Sequence, residues 1–232
     1  MSLLDTLQPR DERRALGGDV RGVSTGVVTN NQDPSHLGRV KLRLPWLDDQ
    51  SETDWVPVVT FMGGDQIGTS FIPEVDDMVL VAFEHGDVNH PFVLGVVRTS
   101  REPPPSGNQD GGNHTRVLRS RSGHEIRFVD DTQGGQQKVV VTTQGGHELC
   151  LDDAQGSAKI RIKSPGGHEI VLDDSAGAAA VHVKDASGNE LKLSAQDGVL
   201  LKGAARLSIQ APSIELQATA SLSLNGQMVR LN

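Results

Sequence analysis

Apolar and polar residues alternate in short runs along the second half of the chain. Each run places two apolar side chains two positions apart, the spacing that puts them on one face of a β-strand. The first seven pairs are Ile126/Phe128, Val139/Val141, Leu149/Leu151, Ile160/Ile162, Ile170/Leu172, Val181/Val183 and Leu191/Leu193. The pairs then follow at intervals of seven or eight residues as Val199/Leu201, Leu207/Ile209, Ile214/Leu216, Leu222/Leu224 and Val229/Leu231. The pattern predicts a long series of short strands, each with one apolar face.

A sequence repeat accompanies this alternation. The segments SGHEIRFVDD from Ser122, GGHELCLDD from Gly145, GGHEIVLDD from Gly166 and SGNELKLSA from Ser187 align, and successive segments start 21 to 23 residues apart. Further alternating segments lie between them, such as KVVVTT from Lys138. Each repeat therefore predicts two short strands joined by turns rich in Asp or Gly.

Strands of this kind must cover their apolar face and satisfy the N–H and C=O groups of their edges. Two inward side chains per strand are too few for one chain to enclose a core of ordinary width. Three copies that each contribute one strand to every layer would bring the apolar pairs together on a common axis and pair each edge with a neighbouring chain. We therefore predict a homotrimeric, intertwined β-helix, a prism-shaped needle, with the apolar pairs as its core.

The first half predicts a separate small barrel. Its alternating runs cover residues 21–29, 39–44, 55–61, 78–84 and 92–98, with turn-rich segments at 30–38, 63–68 and 85–91. Five short strands with Gly and Pro at their corners are typical of a closed barrel. The aromatic residues of this half are Trp46, Trp55, Phe61, Phe71, Phe83 and Phe92. We expect them to pack in the core and at its corners, with a stacking platform for bases or sugars as the alternative.

The joint between the halves is marked by the segment REPPPSGNQDGGNHTR, which starts at Arg101. Three consecutive prolines followed by Gly, Asn and Asp are typical of a linker. The predicted organisation is an N-terminal segment over residues 1–21, the barrel over 22–105, a linker over 106–121 and the needle over 122–232.

Composition narrows the possible partners. The chain has 232 residues and a net charge of −8. Residues 1–105 contain 9 Lys and Arg against 16 Asp and Glu, whereas nucleic-acid binding needs clustered cations. No apolar run reaches the roughly 18 residues of a membrane span, none resembles a signal peptide, and Cys150 is the single cysteine. We expect synthesis in the cytoplasm, no nucleic-acid partner and no intrachain disulfide.

Two repeated motifs contain residues that could carry chemistry. Gly-His-Glu recurs at His124/Glu125, His147/Glu148 and His168/Glu169. It is compatible with metal ligands or with repeated turns, and we favour turns because zinc needs three or four converging ligands. The Asp pairs Asp130/Asp131, Asp152/Asp153 and Asp173/Asp174 could be paired acids of a glycosidase or a weak calcium site. Their position at strand ends favours turn formation.

One histidine of the barrel half resembles a lone catalytic residue. His85 lies in the segment Glu84-His85-Gly86-Asp87. No Ser or Cys nucleophile motif accompanies it, and Cys150 is predicted to point outward from the needle. We therefore expect His85 to have a structural role in its loop. No catalytic, cofactor-binding or metal-binding residue is assigned.

The barrel half resembles the OB-fold of phage baseplate assembly protein V and the VgrG proteins. The matching residues are Asn30-Asn31-Gln32-Asp33-Pro34, Leu37-Gly38-Arg39-Val40-Lys41, Leu44-Pro45-Trp46, the run FIPEVDDMVLVAFEHGD from Phe71, His90-Pro91 and Val93-Leu94-Gly95. The closely spaced tail is also similar to the β-needle of this family. The sequence departs from the family at Asp76, where Gly is usual, and at Met78, where an acidic residue is usual.

The resemblance implies a non-enzymatic, membrane-piercing central spike of a phage tail, type VI secretion device or extracellular injection particle. Only about 22 residues precede the barrel, so we expect a separate hub protein, contacted by residues 1–21. The linker has no room for a muramidase, and the last eight residues, NGQMVRLN, lack the His-x-His iron site of some short phage spikes. A PAAR-repeat tip protein is therefore expected at Met228, Val229 and Leu231.

A second function class remains open from the sequence. A trimeric tail fibre or adhesin could use the OB-fold as a carbohydrate-binding or nucleic-acid-binding module. It predicts glycan or oligonucleotide affinity in the first half, whereas the spike predicts affinity for a hub and a tip protein.

Overall fold

The computed structural model describes Val20 and residues 22–230, and these residues form an all-β chain with one short 3₁₀ turn at Glu84–Gly86. The chain divides into two compact units between Pro104 and Pro105. Nearly all of the predicted hub-contacting segment, residues 1–21, lies outside the described residues. Within the described part of the chain, no helix is long and apolar enough to cross a membrane.

The first unit is built on a five-stranded antiparallel sheet. Its strands are β1 (Val23–Asn30), β2 (Lys41–Leu44), β3 (Asp48–Glu52), β6 (Met78–Phe83) and β7 (Pro91–Val96). They lie in the order β3-β2-β1-β6-β7 across the sheet. A two-stranded hairpin, β4 (Gly63–Gly64) and β5 (Ile67–Gly68), lies between β3 and β6 in the chain. Isolated bridges from Val56 to Val40 and from Val58 to Val93 close the segment after β3 against the sheet.

Branched aliphatic residues form most of the core of this unit. On β2 and β6 every second residue is buried, as the alternation predicts for strands with one face in a core. The buried hydrophobic residues are Val28, Val40, Leu42, Leu44, Val56, Val79, Val81, Phe83 and Val93.

The structure corrects the predicted strands of the barrel in two places. The predicted strand 55–61 forms only the isolated bridges at Val56 and Val58, and Asp48–Glu52 is a strand that the alternation did not predict. Asp48–Glu52 carries no apolar residue and lies at the edge of the sheet. It is held by pairing with β2 rather than by a buried face.

The expected packing of the aromatic residues holds only in part. Phe83 is buried and meets the ring of Trp46 edge to face, with 6.0 Å between the ring centroids. Phe61 and Phe71 are 95% and 69% exposed, so the prediction that they pack in the core is wrong for the single chain. The segment around them is a short hairpin of two-residue strands, which provides no sheet face on which the rings could pack.

The second unit is one nine-stranded antiparallel meander in which every strand pairs with its neighbours in the sequence. The strands are β8 (Thr115–Arg119), β9 (Glu125–Asp131), β10 (Gln136–Thr142), β11 (Glu148–Asp152), β12 (Lys159–Lys163), β13 (Glu169–Asp173), β14 (Ala180–Lys184), β15 (Glu190–Ser194) and β16 (Gly198–Lys202). Strand β8 lies within the predicted linker 106–121, so the linker segment without strands ends before Thr115.

Residues 115–202 pair within the single chain, and the predicted intertwining of copies is not tested by it. The edges of β9 to β15 are paired by the preceding and following strands. Alternation predicts which face of a strand is buried but does not specify its partner, and the short turns between strands favour pairing with the next strand.

The tail part of the predicted needle core is uncovered in the single chain. No strand is assigned in residues 203–230, so the burial predicted there depends on an assembly of several copies. The six tail residues predicted to be buried in the core are instead 50% to 65% exposed; they are Leu207, Ile209, Ile214, Leu216, Leu222 and Leu224. The physical reason is the missing partner, because a segment outside any sheet has no second layer against which to bury its side chains.

Candidate functional site

The register of the nine-stranded sheet collects its apolar residues into two rows on one side, which we call the apolar face. Directly paired residues form the row Leu118, Ile126, Val141, Leu149, Ile162, Ile170, Val183, Leu191 and Leu201. The second row is Arg116, Phe128, Val139, Leu151, Ile160, Leu172, Val181, Leu193 and Val199. Arg116 is thus the one polar residue among the eighteen positions.

The apolar face is uncovered in the single chain. Ile162 and Leu172 are 47% and 39% exposed, although both lie in the middle of the sheet. With strands about 4.8 Å apart, the face extends for roughly 38 Å along the sheet. It contains fourteen of the twenty predicted core residues of the needle, and the six exposed tail residues are the others. The structure thus brings the fourteen together, but none of them is buried in the core of one chain.

The opposite side of the sheet, the polar face, carries most of the charged residues of these strands. One row across the sheet reads Arg119, Glu125, Thr142, Glu148, Lys163, Glu169, Lys184, Glu190 and Lys202. The middle row mixes charged residues with apolar ones and reads Val117, Arg127, Val140, Cys150, Arg161, Val171, His182, Lys192 and Leu200. Arg161 binds Glu148 at 2.6 Å and Lys184 binds Glu169 at 2.6 Å. The hydrogen bond from Lys184 holds the pKa of Glu169 below its usual range. This side of the sheet is suited to water.

Cys150 lies on the polar face, as predicted, but is only 7% exposed. It is paired with Val140 and Arg161 on the neighbouring strands. Burial raises the pKa of its thiol, and the negative charge of Asp152 adds to this effect. The cysteine is therefore a packed part of the sheet rather than an exposed nucleophile.

Four matching turns lie along one long edge of the sheet, which we call the His edge. The turns are Ser120–His124, Thr143–His147, Ser164–His168 and Asp185–Asn189. In each turn the first side chain accepts a hydrogen bond from the backbone N–H of the fifth residue. The fourth residue is a Gly with φ between 85° and 93°, a conformation that favours glycine. This is the turn role favoured for the Gly-His-Glu motif.

Successive turns of the His edge also contact one another. A Cβ placed on Gly146 would lie 3.7 Å from Pro165 of the next turn, and one on Gly167 only 3.1 Å from Ala186. The backbone N–H of Gln144 donates to Nδ1 of His124 and joins the first turn to the second. The backbone conformation favours glycine in all four turns, and at Gly167 the close approach of the next turn favours it as well.

The opposite long edge, which we call the Asp edge, carries the predicted Asp pairs. Asp152 and Asp173 accept hydrogen bonds from the backbone N–H two residues later, in the geometry of Asx turns. Asp131 similarly accepts from the N–H of Gly134. These three residues thus have the structural role that the sequence favours. Among residues 20 and 22–230, no group of three or more His, Cys, Asp or Glu is placed to bind a metal ion.

In the barrel unit, the motif residues Asp33 and Arg39 meet in a buried loop contact. The carboxylate of Asp33, 7% exposed, also accepts hydrogen bonds from the backbone N–H groups of Ser35 and Leu37. The guanidinium of Arg39, together with these N–H groups, holds the pKa of Asp33 far below its usual range. The motif N-N-Q-D-P…L-G-R therefore closes the loop between β1 and β2.

The barrel also has a groove between β3 and the loop before β7. Trp55 and Phe92 line it together with three carboxylates, Asp48, Glu52 and Asp54; Lys41 pairs with Glu52 at 2.8 Å. The excess of carboxylates disfavours the phosphates of a nucleic acid. His85, in the same loop, is exposed and has a left-handed backbone with φ 51°. The loop is held by Asp87, which binds Asn89 and His90.

Comparison with known proteins matches residues 24–97 to the type VI secretion system/phage-baseplate injector OB domain. The chain is 27% identical over 126 residues to the type VI secretion system spike protein VgrG3 of Vibrio cholerae, and 28% identical over 156 residues to the spike protein VgrG1a of Pseudomonas aeruginosa. It is 27% identical over 127 residues to the actin cross-linking toxin VgrG1 of V. cholerae.

These matches cover 50%, 58% and 51% of the chain. They span only 12%, 23% and 11% of the relatives' own lengths. The loop closed by Asp33 and Arg39 and the core strands β1, β2, β6 and β7 all lie within the matched OB domain or at its border. Residues 24–97 are therefore a type VI secretion system/phage-baseplate injector OB domain, and the chain is similar to VgrG spike proteins over about half of its length.

Proposed function

We propose that this chain is a structural spike of a contractile injection machine, in which three copies form one needle. The observation that carries the proposal is the apolar face, which one chain builds in register over nine strands and leaves open to water. Exposed apolar surface on this scale marks an interaction site. The type VI secretion spike proteins among its relatives support the same role.

Three copies suit the shape of this face. It is only two side chains wide, and the polar face behind it is suited to solvent. Three such sheets can form the walls of a three-sided prism, with their apolar rows on the axis and their charged rows outside. Burying a Leu or Ile side chain contributes roughly 1.5–3 kcal/mol before the entropy of assembly is subtracted.

The tail supports the same assembly by a different argument. Residues 203–230 keep the apolar alternation but form no strands in the single chain. Backbone N–H and C=O groups in a packed needle need partners, and neighbouring copies of the tail can supply them. Intertwining is thus proposed for the tail, whereas residues 115–202 pair within each chain.

The two ends of the needle would bind different proteins. Residues 1–21 and the barrel are proposed to contact a separate hub protein. A PAAR-repeat tip protein is proposed to bind the C-terminal end, where Met228 and Val229 are 71% and 52% exposed. Leu231, the third predicted tip-binding residue, lies outside the described residues. Synthesis in the cytoplasm and assembly into a baseplate complete the proposal.

The proposed role is mechanical and assigns no catalytic step to the chain. A stiff needle transmits the force of contraction to a small tip, so its important residues are distributed along the apolar face. Hydrolysis of peptidoglycan by the pure protein would contradict this part of the proposal.

Light scattering of the purified chain tests the assembly. Three copies of a 24.8 kDa chain have a mass of about 74 kDa, and the particle is expected to resist heating in detergent because three chains must separate together. A 24.8 kDa monomer would contradict the proposal. Binding of the trimer to glycans, without affinity for a hub or tip protein, would instead favour a tail fibre or adhesin.

A further inference from the structure

The apolar face is flanked by a row of histidines on one side and a row of aspartates on the other. Strands β9, β11 and β13 and the residues next to them repeat one pattern at every second position. The pattern reads His124, Ile126, Phe128, Asp130 on the first strand, then His147, Leu149, Leu151, Asp153, and then His168, Ile170, Leu172, Asp174. Because alternate residues of a strand share a side, the His and the Asp belong to the side that carries the apolar face.

These flanking residues are available for contact. His147, His168, Asp153 and Asp174 are all exposed or half-buried. Within the described residues, the carboxylates of Asp153 and Asp174 have no hydrogen-bond or ion-pair partner, since the turns use Asp152 and Asp173 instead. Asp130 is different, because Arg116 of the same sheet binds it at 3.0 Å.

We propose that the His edge of one copy binds the Asp edge of the next copy, so that imidazole–carboxylate pairs close the corners of the needle. This inference rests on the proposed trimer. Three equivalent walls around a three-fold axis meet edge to edge, and the contact at each corner joins two different edges. A His row therefore faces an Asp row at all three corners.

The heights of the two rows match along the needle. His147 and Asp153 flank the same strand, β11, and His168 and Asp174 flank β13. A pure three-fold rotation keeps each strand at its own level, so His147 of one copy faces Asp153 of the next copy. Both rows repeat every second strand, or about every 9.6 Å. A shift of the copies by one strand would break every pair at once, so the rows would oppose such a shift.

Crosslinking between copies tests the arrangement. The double variant His147→Cys with Asp153→Cys, treated with a short bifunctional thiol reagent, is expected to give covalent trimers. The matched control His147→Cys with Asp174→Cys places the thiols two strands apart in height and is expected to give far less product. Cys150 stays in place, because it is buried on the polar face. Each single variant is expected to give no covalent trimer.

The outcomes separate this inference from the proposed trimer. Light scattering of each variant before crosslinking reports whether the trimer forms. If the variant His147→Cys with Asp153→Cys forms a particle of about 74 kDa but gives no crosslinks, the corner contact is wrong and the proposed trimer still holds. Dimers from the His147→Cys variant alone would show that like edges meet, which also overturns it.

A charge exchange gives a second, independent test. Replacing His147 and His168 by Glu places like charges opposite Asp153 and Asp174, and is expected to lower the temperature at which detergent dissociates the trimer. Adding Asp153→Lys and Asp174→Lys is expected to restore the original dissociation temperature. If the quadruple variant dissociates at the same lowered temperature as the double variant, the pairing is contradicted, because the turns keep their backbone and Asx hydrogen bonds in both variants.

Discussion

The guanidinium of Arg39 donates two parallel hydrogen bonds to the carboxylate of Asp33, from Nε to Oδ2 and from Nη2 to Oδ1, each 2.8 Å long. The two residues are six positions apart, in the two halves of the motif shared with the injector OB domain. Their side chains are 27% and 2% exposed, so water competes weakly for the carboxylate. The pair fixes the loop between β1 and β2 and accounts for the Asp and the Arg of the motif.

Replacing Asp33 by Asn is expected to lower the melting temperature of the barrel by several degrees. The variant keeps the shape of the side chain but removes the charge that Arg39 and the loop N–H groups bind. Trp46 and Trp55, the only tryptophans of the chain, report barrel unfolding by fluorescence. The control Glu52→Gln breaks an exposed pair with Lys41 and should have a much smaller effect.

The same pair predicts how the barrel responds to acid. The folded-state pKa of Asp33 lies far below its unfolded value, so the stabilisation is fully present above about pH 3.9 and is lost progressively as the pH falls from there toward the folded-state pKa. Acid titration of barrel stability should show a smaller loss in Asp33→Asn than in the unmodified chain. An equal loss in both proteins would mean that other carboxylates control the response.

Substitutions on the two faces of β13 should have opposite consequences for assembly. In the proposed trimer the three copies of residue 170 meet at the same height near the axis. Ile170→Asp would bury three unpaired charges there and is expected to abolish the heat-resistant trimer, because an unpaired charge is costly to bury. Val171→Asp, its neighbour on the polar face, lies between Arg161 and His182 and should leave assembly intact. Light scattering and detergent gels measure both. A trimer that survives Ile170→Asp would place the interface elsewhere.

The glycines of the turns allow a matched comparison. Gly156→Ala and Gly167→Ala both force alanine into a left-handed backbone, with φ of 78° and 85°, at a cost of roughly 1–2 kcal/mol. Only at Gly167 would the new Cβ also press on Ala186 of the next turn. Thermal unfolding should therefore show a larger loss for Gly167→Ala, and equal losses would mean that the turns do not support one another.

Cys150 is expected to react slowly with thiol reagents in the native protein. Burial raises its pKa, so the reactive thiolate is scarcer at neutral pH than for a free cysteine. The reaction rate should rise steeply on unfolding in denaturant, which a colorimetric thiol assay measures. Fast reaction in the native state would show that this part of the sheet opens readily.

Asp76 lies at a position whose backbone favours glycine. Its backbone is left-handed, with φ 74°, and its side chain is exposed, so glycine would meet the same requirement with less strain. Asp76→Gly is expected to stabilise the barrel by about 0.5–1 kcal/mol, measured by denaturant unfolding. The neighbouring change Asp77→Gly removes a carboxylate that caps the N–H of Glu74 and should destabilise it.

Much of this architecture could be predicted from alternation and repeats. The pairs such as Ile160/Ile162 and Ile170/Leu172 lie directly opposite one another in the sheet, because each strand offers two apolar residues and each turn keeps them in phase. Alternation does not specify pairing partners, so the intrachain meander was missed. Strand Asp48–Glu52 was missed because both its faces are polar, and the exposure of Phe61 because aromatic content alone does not reveal whether a sheet face is available.

The tail shows the same limit of alternation most clearly. Ile209 and Leu216 were predicted to be core residues, whereas they are 60% and 65% exposed in the single chain. Their alternation identifies a potential strand face, but the sequence does not state which chain supplies the second strand. Burial of these two residues therefore depends on the proposed trimer and not on the fold of one copy.

The strands of the meander come in pairs, with the His edge and the Asp edge reached on alternate turns. Inserting a single strand would reverse every later strand and move every later histidine to the opposite edge, whereas inserting a whole hairpin keeps both edges as they are. Related needles should therefore differ in length only by whole repeats of about 21 residues, each adding about 9.6 Å. The reach of the spike would then change in discrete steps, by duplication or loss of a hairpin, and not by gradual extension.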